Sequence, residues 1–523
     1  MRAPLTVADV LSAQARLQPD RIAARDLERA LTFRVWNARA SRLANALLGL
    51  GLRKGDRVAV LAYNRLEWAE IYVAVAKAGL VAVPVNFRLT ALETLTILED
   101  SGASAIIVEH ALAGTIEPVR RELPVRDDRF VLLGADGPAA GWRDYEAMIA
   151  AASETDPGDP ARADDAWCLM YTSGTTGIPK GAIRSHRGMA MLAMMTEIEL
   201  GLHRRDDALL VMPMCHANSL NFFTSFLYCG GGVAVFSRRS FDPALCLRVF
   251  GESRATFTSL TPTHYAMMLD VPEAERGTAD FGRVEKLMIS SAPARPDTNR
   301  AVMKMFPNSG LFELYGSTEA GWVTMLHPHE QFDRIGTVGR EVVGSAPIRF
   351  LDEAGEEVPD GTPGELFSCG PYAFEGYWNN PGKTAEACRG DYVSVGDIGL
   401  RDGDGYIRLV DRKKNVIITG GENVYPSEVE AAIGAHPGVL DVAVVGQPDD
   451  RWGERVAAAV VRARGSTVTE EELLAFARER LAGYKRPRTI LFLEAHEMPR
   501  NATGKILHRT LRERFAATAA AAS

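Results

Sequence analysis

At 523 residues the chain is too long for one hydrophobic core, so two or more domains are expected. Its 46% apolar and 24% charged residues are ordinary for a globular protein, and a formal charge of -8 argues against nucleic acid or an anionic membrane as main partner. Met1-Arg2-Ala3-Pro4-Leu5-Thr6 lacks the apolar run of an export signal, no stretch nears the roughly 20 apolar residues of a membrane helix, and six scattered cysteines lack zinc spacing, so a cytoplasmic protein with reduced thiols is expected.

From Thr32 the spacing of Trp36, Ala40, Leu43 and Leu47 predicts a helix that stops in Gly49 and Gly51. Residues 57–61 and 81–85 read as buried strands flanking a helix from about Glu67 to Gly79. This strand–helix–strand unit is the signature of an α/β layered domain, and similar alternation continues past residue 300. After about Gly361 the pattern changes to short strands with glycine turns, 364–367 and then the Asp-Gly turns before 406–409. Beyond Asp411 a compact α+β pattern follows: strand 416–418, helix from Ser427, strand 441–445, helix from Thr469 and strand 489–493. The best division is therefore 1–410 and 411–523, and the terminal run from Ala516 to Ser523 is expected to be disordered.

Tyr171-Thr172-Ser173-Gly174-Thr175-Thr176-Gly177-Ile178-Pro179-Lys180-Gly181 follows the strand-like run 167–170. Glycines let a backbone bend close to a ligand, and successive N–H groups in such a loop form an anion nest. Four hydroxyls and Lys180 add donors and positive charge suited to a polyphosphate. The loop is not a Walker A motif, because Gly181 follows Lys180 where that motif needs Ser or Thr. Taken alone, it reads equally as a flexible surface loop.

The stretch resembles the phosphate loop of the adenylate-forming (AMP-binding) superfamily, and four further motifs fall in that family's order. Leu314-Tyr315-Gly316-Ser317-Thr318-Glu319 is similar to the adenine and magnesium motif, and Tyr392-Val393-Ser394-Val395-Gly396-Asp397 to the ribose motif. Asp411-Arg412-Lys413-Lys414 is similar to the hinge, and Pro499-Arg500-Asn501-Ala502-Thr503-Gly504-Lys505 to the catalytic-lysine loop. Val395 departs from the Thr or Ser usual before the Gly-Asp pair. The resemblance implies a large layered N-terminal α/β domain with mixed sheets and a β-rich subdomain, plus a small α+β C-terminal lid that rotates about Lys414. It implies ATP, Mg²⁺ and coenzyme A as cofactor and co-substrates.

By the same resemblance ATP is bound by Thr172, Ser173, Gly174, Thr175, Thr176, Gly177, Lys180, Ser291, Ala292, Pro293, Glu313, Tyr315, Thr318, Asp397, Arg412 and Lys505. Glu319 supplies a hard carboxylate of the kind Mg²⁺ takes beside ATP phosphates. Lys505, with Lys180, Thr318 and Glu319, is expected to be catalytic. Attack of a carboxylate on the α-phosphate brings anion onto anion, and a placed lysine lowers that barrier electrostatically. Gly420 and Gly421 resemble the loop that borders the pantetheine tunnel, with Tyr484, Lys485 and Arg486 near the CoA phosphates. His216, Asn218 and Gly316 are expected in the acyl pocket.

The implied function is an acyl-CoA synthetase, an acid–thiol ligase that makes an acyl-AMP, releases pyrophosphate and transfers the acyl group to CoA. A medium- or long-chain fatty acid leads, with an aromatic or cinnamic acid and an alicyclic or steroid-derived acid behind it. A free-standing ligase loading a carrier protein is the alternative acceptor reading; a luciferase-like oxidative enzyme and an inactive nucleotide sensor are poorer ones. No Arg or Lys lies in the segment 215–223 or beside Tyr315, which disfavours a dicarboxylic acid, since an unpaired buried carboxylate is costly.

Overall fold

The computed structural model describes residues 6–522, apart from 136, 138, 159–160, 173–178, 277–279, 292–293, 421, 450 and 501–504. The chain divides into two compact units, Met1–Pro347 with Ser368–Val393, and Ile348–Phe367 with Ser394–Ser523. The first contains two large sheets and their helices. The second is smaller and α+β.

In the first unit the helix Phe33–Gly49 begins where expected. Thr32 caps it by accepting from the Val35 N–H, and Phe33, Trp36, Ala40, Leu43 and Leu47 are buried. The strands Arg57–Leu61 and Val81–Val85 pair in parallel across the helix Glu67–Lys77. Among the described residues they belong to a seven-stranded sheet, parallel except for the last pair, the hairpin Ala166–Thr172 and Lys180–Ser185. A nine-stranded sheet runs from Arg340–Glu341 through Gly310–Ser317, Lys286–Ser290 and Phe257–Leu260 to Gly232–Val235, then to Ile22–Arg25 and Ala30–Thr32. All eleven residues of Glu67–Lys77 are buried, because this helix forms part of the shared core joined by residues of both sheets. Its carboxylates are paired: Glu67 with Arg29 and Arg65 at 2.8 Å, and Glu70 with Arg39 at 2.6 Å.

The second unit centres on a five-stranded sheet among the described residues. Its long hairpin, Val439–Asp449 with Gly453–Arg462, is flanked by Ile417–Thr419, Glu422–Val424 and Thr489–Leu493. The helices Pro426–Gly434 and Glu470–Arg478 close one face over Val429, Ile433, Leu473 and Ala477. The strand expected over 441–445 is more than twice as long, and its partner from Gly453 was not expected from the pattern. The expected disorder at the C-terminus is corrected: the helix His508–Ala522 runs through Ala516–Ala517 and on to Ala522, because alanine has the highest helix propensity of any residue. All six cysteines are unpaired thiols. Among the described residues no helix is long and apolar enough to cross a membrane.

Candidate active site

The hairpin Ala166–Thr172/Lys180–Ser185 sets Thr172 opposite Lys180, on either side of residues 173–178 in the chain. Ser173, Gly174, Thr175, Thr176 and Gly177 lie outside the described residues, as do Ala292, Pro293 and Gly421. What the structure brings together is the rim. The Glu319 carboxylate is buried and accepts from the Tyr377 hydroxyl at 2.7 Å and from Thr172 Oγ1 at 3.3 Å. Lys180 Nζ lies 4.1 Å from the centroid of the Tyr377 ring. Burial lowers the Lys180 pKa, and the charge of Glu319 partly offsets this. Behind them Arg184 is buried and donates from Nη1 to the carbonyls of Thr318 at 2.9 Å and Glu319 at 3.4 Å.

The strand Gly310–Ser317 carries the next group. Its register against Gly321–Leu326 slips between Tyr315 and Gly316, which turns the end of the strand toward Thr318 and Glu319. Gly316 has to be glycine, since a Cβ there would collide with the Gly321 carbonyl oxygen. Glu313 is half-buried; burial pushes its carboxyl up to about 7, against a weak 3.4 Å bond from the Gln331 amide. Ser291 holds a left-handed backbone, φ 72°, beside Ser290.

The expected acyl-pocket residues sit at the start of the helix Ala217–Cys229, of which His216 is the N-cap. His216 is neutral, its pKa lowered to about 4 by burial first and then by the charge of Arg88, and its Nε2 has no hydrogen-bond partner among the described residues. Asn218 Nδ2 donates to both Ser259 Oγ and Ser290 Oγ at 3.0 Å, tying the helix to the ends of two central strands. Arg88 lies outside the segment 215–223 and the neighbourhood of Tyr315 from which a pairing cation was expected to be absent. Burial first and then the charge of Arg88 lower the His216 and His264 pKa values, so a second carboxylate in this neighbourhood is less disfavoured than the sequence implied.

In the second unit Asp397 and Arg412 face each other across paired strands, with Arg412 Nε 2.9 Å from Asp397 Oδ1. Lys414 lies in the short 3-10 turn Lys413–Asn415. Gly420 takes φ +60°, a left-handed backbone that favours glycine, its N–H donates to the Trp452 carbonyl at 2.8 Å, and a Cβ there would press on the Trp452 indole. Tyr484 is exposed, Lys485 pairs with Glu428 at 2.7 Å, and Arg486 donates to the Leu481 and Arg478 carbonyls. Lys505 is exposed, just before the bridge of Ile506 to Arg500.

Oxygen donors, one carboxylate and a lysine suit Mg²⁺ delivered with ATP phosphates, since Mg²⁺ takes only one or two protein carboxylates in such sites. Among the described residues no group of three or more His, Cys, Asp or Glu could hold a metal by itself. Tyr377 and Arg184 were not anticipated. Tyr377 is 58 residues from Glu319 and lies in no motif; the only signal for Arg184 was a charge inside the otherwise buried strand Lys180–Ser185.

Residues 11–378 match the model of the AMP-binding enzyme family, and residues 428–505 that of the AMP-binding enzyme C-terminal domain. The chain is 37% identical to a feruloyl-CoA synthase of an Amycolatopsis species, over 96% of this chain and 97% of that one. It is 36% identical to a long-chain-fatty-acid–CoA ligase of Mycobacterium tuberculosis, over 93% and 94%. The crystal structure of an anthranilate CoA ligase in complex with anthranoyl-AMP superposes with a TM-score of 0.89 at 27% identity, covering 100% of this chain and 99% of that one. With both family models matched and relatives above 30% identity over nearly the whole chain, the chain belongs to the AMP-binding enzymes, in their branch of AMP-forming acid–thiol ligases.

Proposed function

We propose that this CoA ligase activates an aromatic monocarboxylic acid bearing a hydroxyl group, of the hydroxycinnamic type, ahead of the fatty acid that sequence placed first. The carboxylate attacks the α-phosphorus of ATP and pyrophosphate leaves; the CoA thiol then attacks the acyl carbon and AMP leaves. Lys180 and Lys505 neutralise charge on the phosphoryl oxygens, Thr318 and Glu319 receive Mg²⁺, Tyr315 stacks on adenine, and Asp397 holds the ribose. Mg²⁺, when bound, adds charge neutralisation at the phosphates. The reaction runs in the cytoplasm on free CoA, with Gly420, Tyr484 and Lys485 on the CoA side. The part that moves between the two steps begins at residue 411 and turns about Lys414.

One observation carries the reading of the acid. Among the described residues the two serines take up the Nδ2 end of the Asn218 amide, which would leave Oδ1 to accept from a ligand. A polar end lining an acyl pocket is wasted on an alkyl chain but pairs with a phenol, and the similarity to a feruloyl-CoA synthase points the same way.

The test is pyrophosphate release with ferulic, cinnamic and decanoic acids, followed by thiol transfer to free CoA. Ferulic acid is expected to exceed cinnamic acid in kcat/KM by about tenfold or more, and Asn218→Leu to erase that preference, as loss of one hydrogen bond to a ligand hydroxyl does. Preference for decanoic acid in both proteins refutes the acid; release of ADP and phosphate refutes the reaction.

A further inference from the structure

Arg184 is 4% exposed and lies in a strand whose other members are mostly apolar or small. Among the described residues it makes no hydrogen bond to a carboxylate. Its Nη1 instead donates to the main-chain carbonyls of Thr318 and Glu319, and its Nη2 approaches Met189 Sδ at 3.6 Å. Burying a guanidinium without a bonded carboxylate is unfavourable by several kcal/mol, so a fold seldom retains one merely as filler. Nor is a cation needed to join these strands: the hairpin ladder from Ala166↔Ser185 to Thr172↔Lys180 is already made by the backbone.

What Arg184 adds is a clamp on one turn. The strands Gly310–Ser317 and Gly321–Leu326 are joined by Thr318, Glu319 and Ala320, and the only other main-chain ties described for that turn are Phe374 N–H to the Glu319 carbonyl and Ala320 N–H to Ser317 Oγ. The guanidinium holds the main-chain carbonyls of the turn, while the Glu319 carboxylate is held by Tyr377 and Thr172.

We propose that Arg184 is a positioning residue for magnesium–ATP: by gripping the Thr318 and Glu319 carbonyls it fixes the hydroxyl and the carboxylate that receive the metal-bearing phosphates. This rests on the reading of Thr318 and Glu319 given above. The fixed cation behind Glu319 also adds positive potential toward the polyphosphate. It touches neither substrate nor metal.

Calorimetric titration with ATP, with Mg²⁺ and again with EDTA, tests this without turnover. Arg184→Met is expected to weaken binding of the magnesium complex about tenfold, the scale of losing a charge-assisted hydrogen bond, and binding of metal-free ATP less than twofold. Arg184→Gln, which keeps an N–H donor, is expected to recover most of the loss. Leu192→Ala, equally buried in the adjoining helix but apart from the Arg184 contacts, controls for general loosening and is expected to bind magnesium–ATP as wild type does. Should Arg184→Met not fold, Arg184→Lys serves, with a loss of about threefold because it reaches only one carbonyl. Wild-type affinity in the Met or Lys variant, no recovery in Gln, or an equal loss in Leu192→Ala overturns the proposal. Glu319→Gln separates the two readings: if it too leaves magnesium dependence untouched, the metal assignment fails; if it alone shifts the affinity, only the role of Arg184 fails.

Discussion

The cations beside the candidate site are held differently in the two units. In the first, Arg184 is buried and spends its donors on main-chain carbonyls, while Lys180 is half-buried over the Tyr377 ring. In the second, exposed Lys413 and half-buried Lys485 pair with Glu365 at 2.9 Å and Glu428 at 2.7 Å, and half-buried Arg412 pairs with the buried Asp397 at 2.9 Å. Exposed ion pairs are worth at most about 1 kcal/mol, so a phosphate can displace the carboxylate at little cost. A buried guanidinium cannot trade partners in that way. On the proposed function, the first unit would thus be prearranged around one ligand geometry, and the second would offer charges able to exchange partners between the two steps.

The sharpest way to break this contrast is Lys505→Ala. If the second unit delivers Lys505 only for adenylation, that half-reaction falls by at least about 10²–10³, or ~2.7–4 kcal/mol, while supplied acyl-AMP and CoA still form thioester at near-normal rate. Equal loss in both half-reactions makes Lys505 a shared or structural group. Next in size is Lys414→Pro. Fixing φ in the turn Lys413–Asn415 restricts the torsion that has to change between steps. Thioester formation is expected to fall about tenfold with adenylation nearly intact, as for a gating hinge, and Lys414→Ala to do less. Quenched single-turnover assays resolve the steps; unaltered transfer in the proline variant removes the hinge from Lys414.

Two smaller effects sharpen the contrast. Lys485→Gln is expected to raise the KM for CoA only about two- to fivefold, with the difference shrinking as salt is raised from 50 to 300 mM, because exposed charges are screened. A salt-independent effect indicates a desolvated contact instead. Glu313 tests the first unit. Its folded pKa of about 7 lies above the 4.5 of an ordinary glutamate, so the stability it contributes is full below pH 4.5 and is lost as pH rises through 7. Glu313→Gln is expected to raise Tm by roughly 1–3 °C relative to wild type at pH 8, and by less at pH 5. A difference that grows toward acid pH reverses the sign and dismisses the buried neutral carboxyl.

The parts legible in sequence were those whose cause is local. The helix after Thr32 shows a 3.6-residue period and a capping hydroxyl within four residues, and its bounds came out within one residue. The strand Gly453–Arg462 escaped notice because Val456–Val461 is buried on both faces, which erases the alternation that marks a strand. The candidate site divides along the same line. Thr172, Lys180, Thr318 and Glu319 lie in contiguous motifs and were named at once. Tyr377 reaches Glu319 across 58 residues, and Ser259 and Ser290 reach Asn218 across 41 and 72, so only the folded chain reveals them.

The parallel pairing of Ile22–Arg25 with Gly232–Val235 has a consequence during synthesis. Ala24 meets Val233 and Arg25 meets Ala234, so the first strand emerges from the ribosome long before its neighbour exists. At about 5–20 residues per second, that gap lasts roughly 10–40 s. Throughout it, Ile22–Arg25 has only the short hairpin partner Ala30–Thr32, and its other edge is open to any passing strand. Slower initiation or a holding chaperone shields the nascent chain in that interval, and crowded, fast expression exposes it to misassembly before the nine-stranded sheet can close around it.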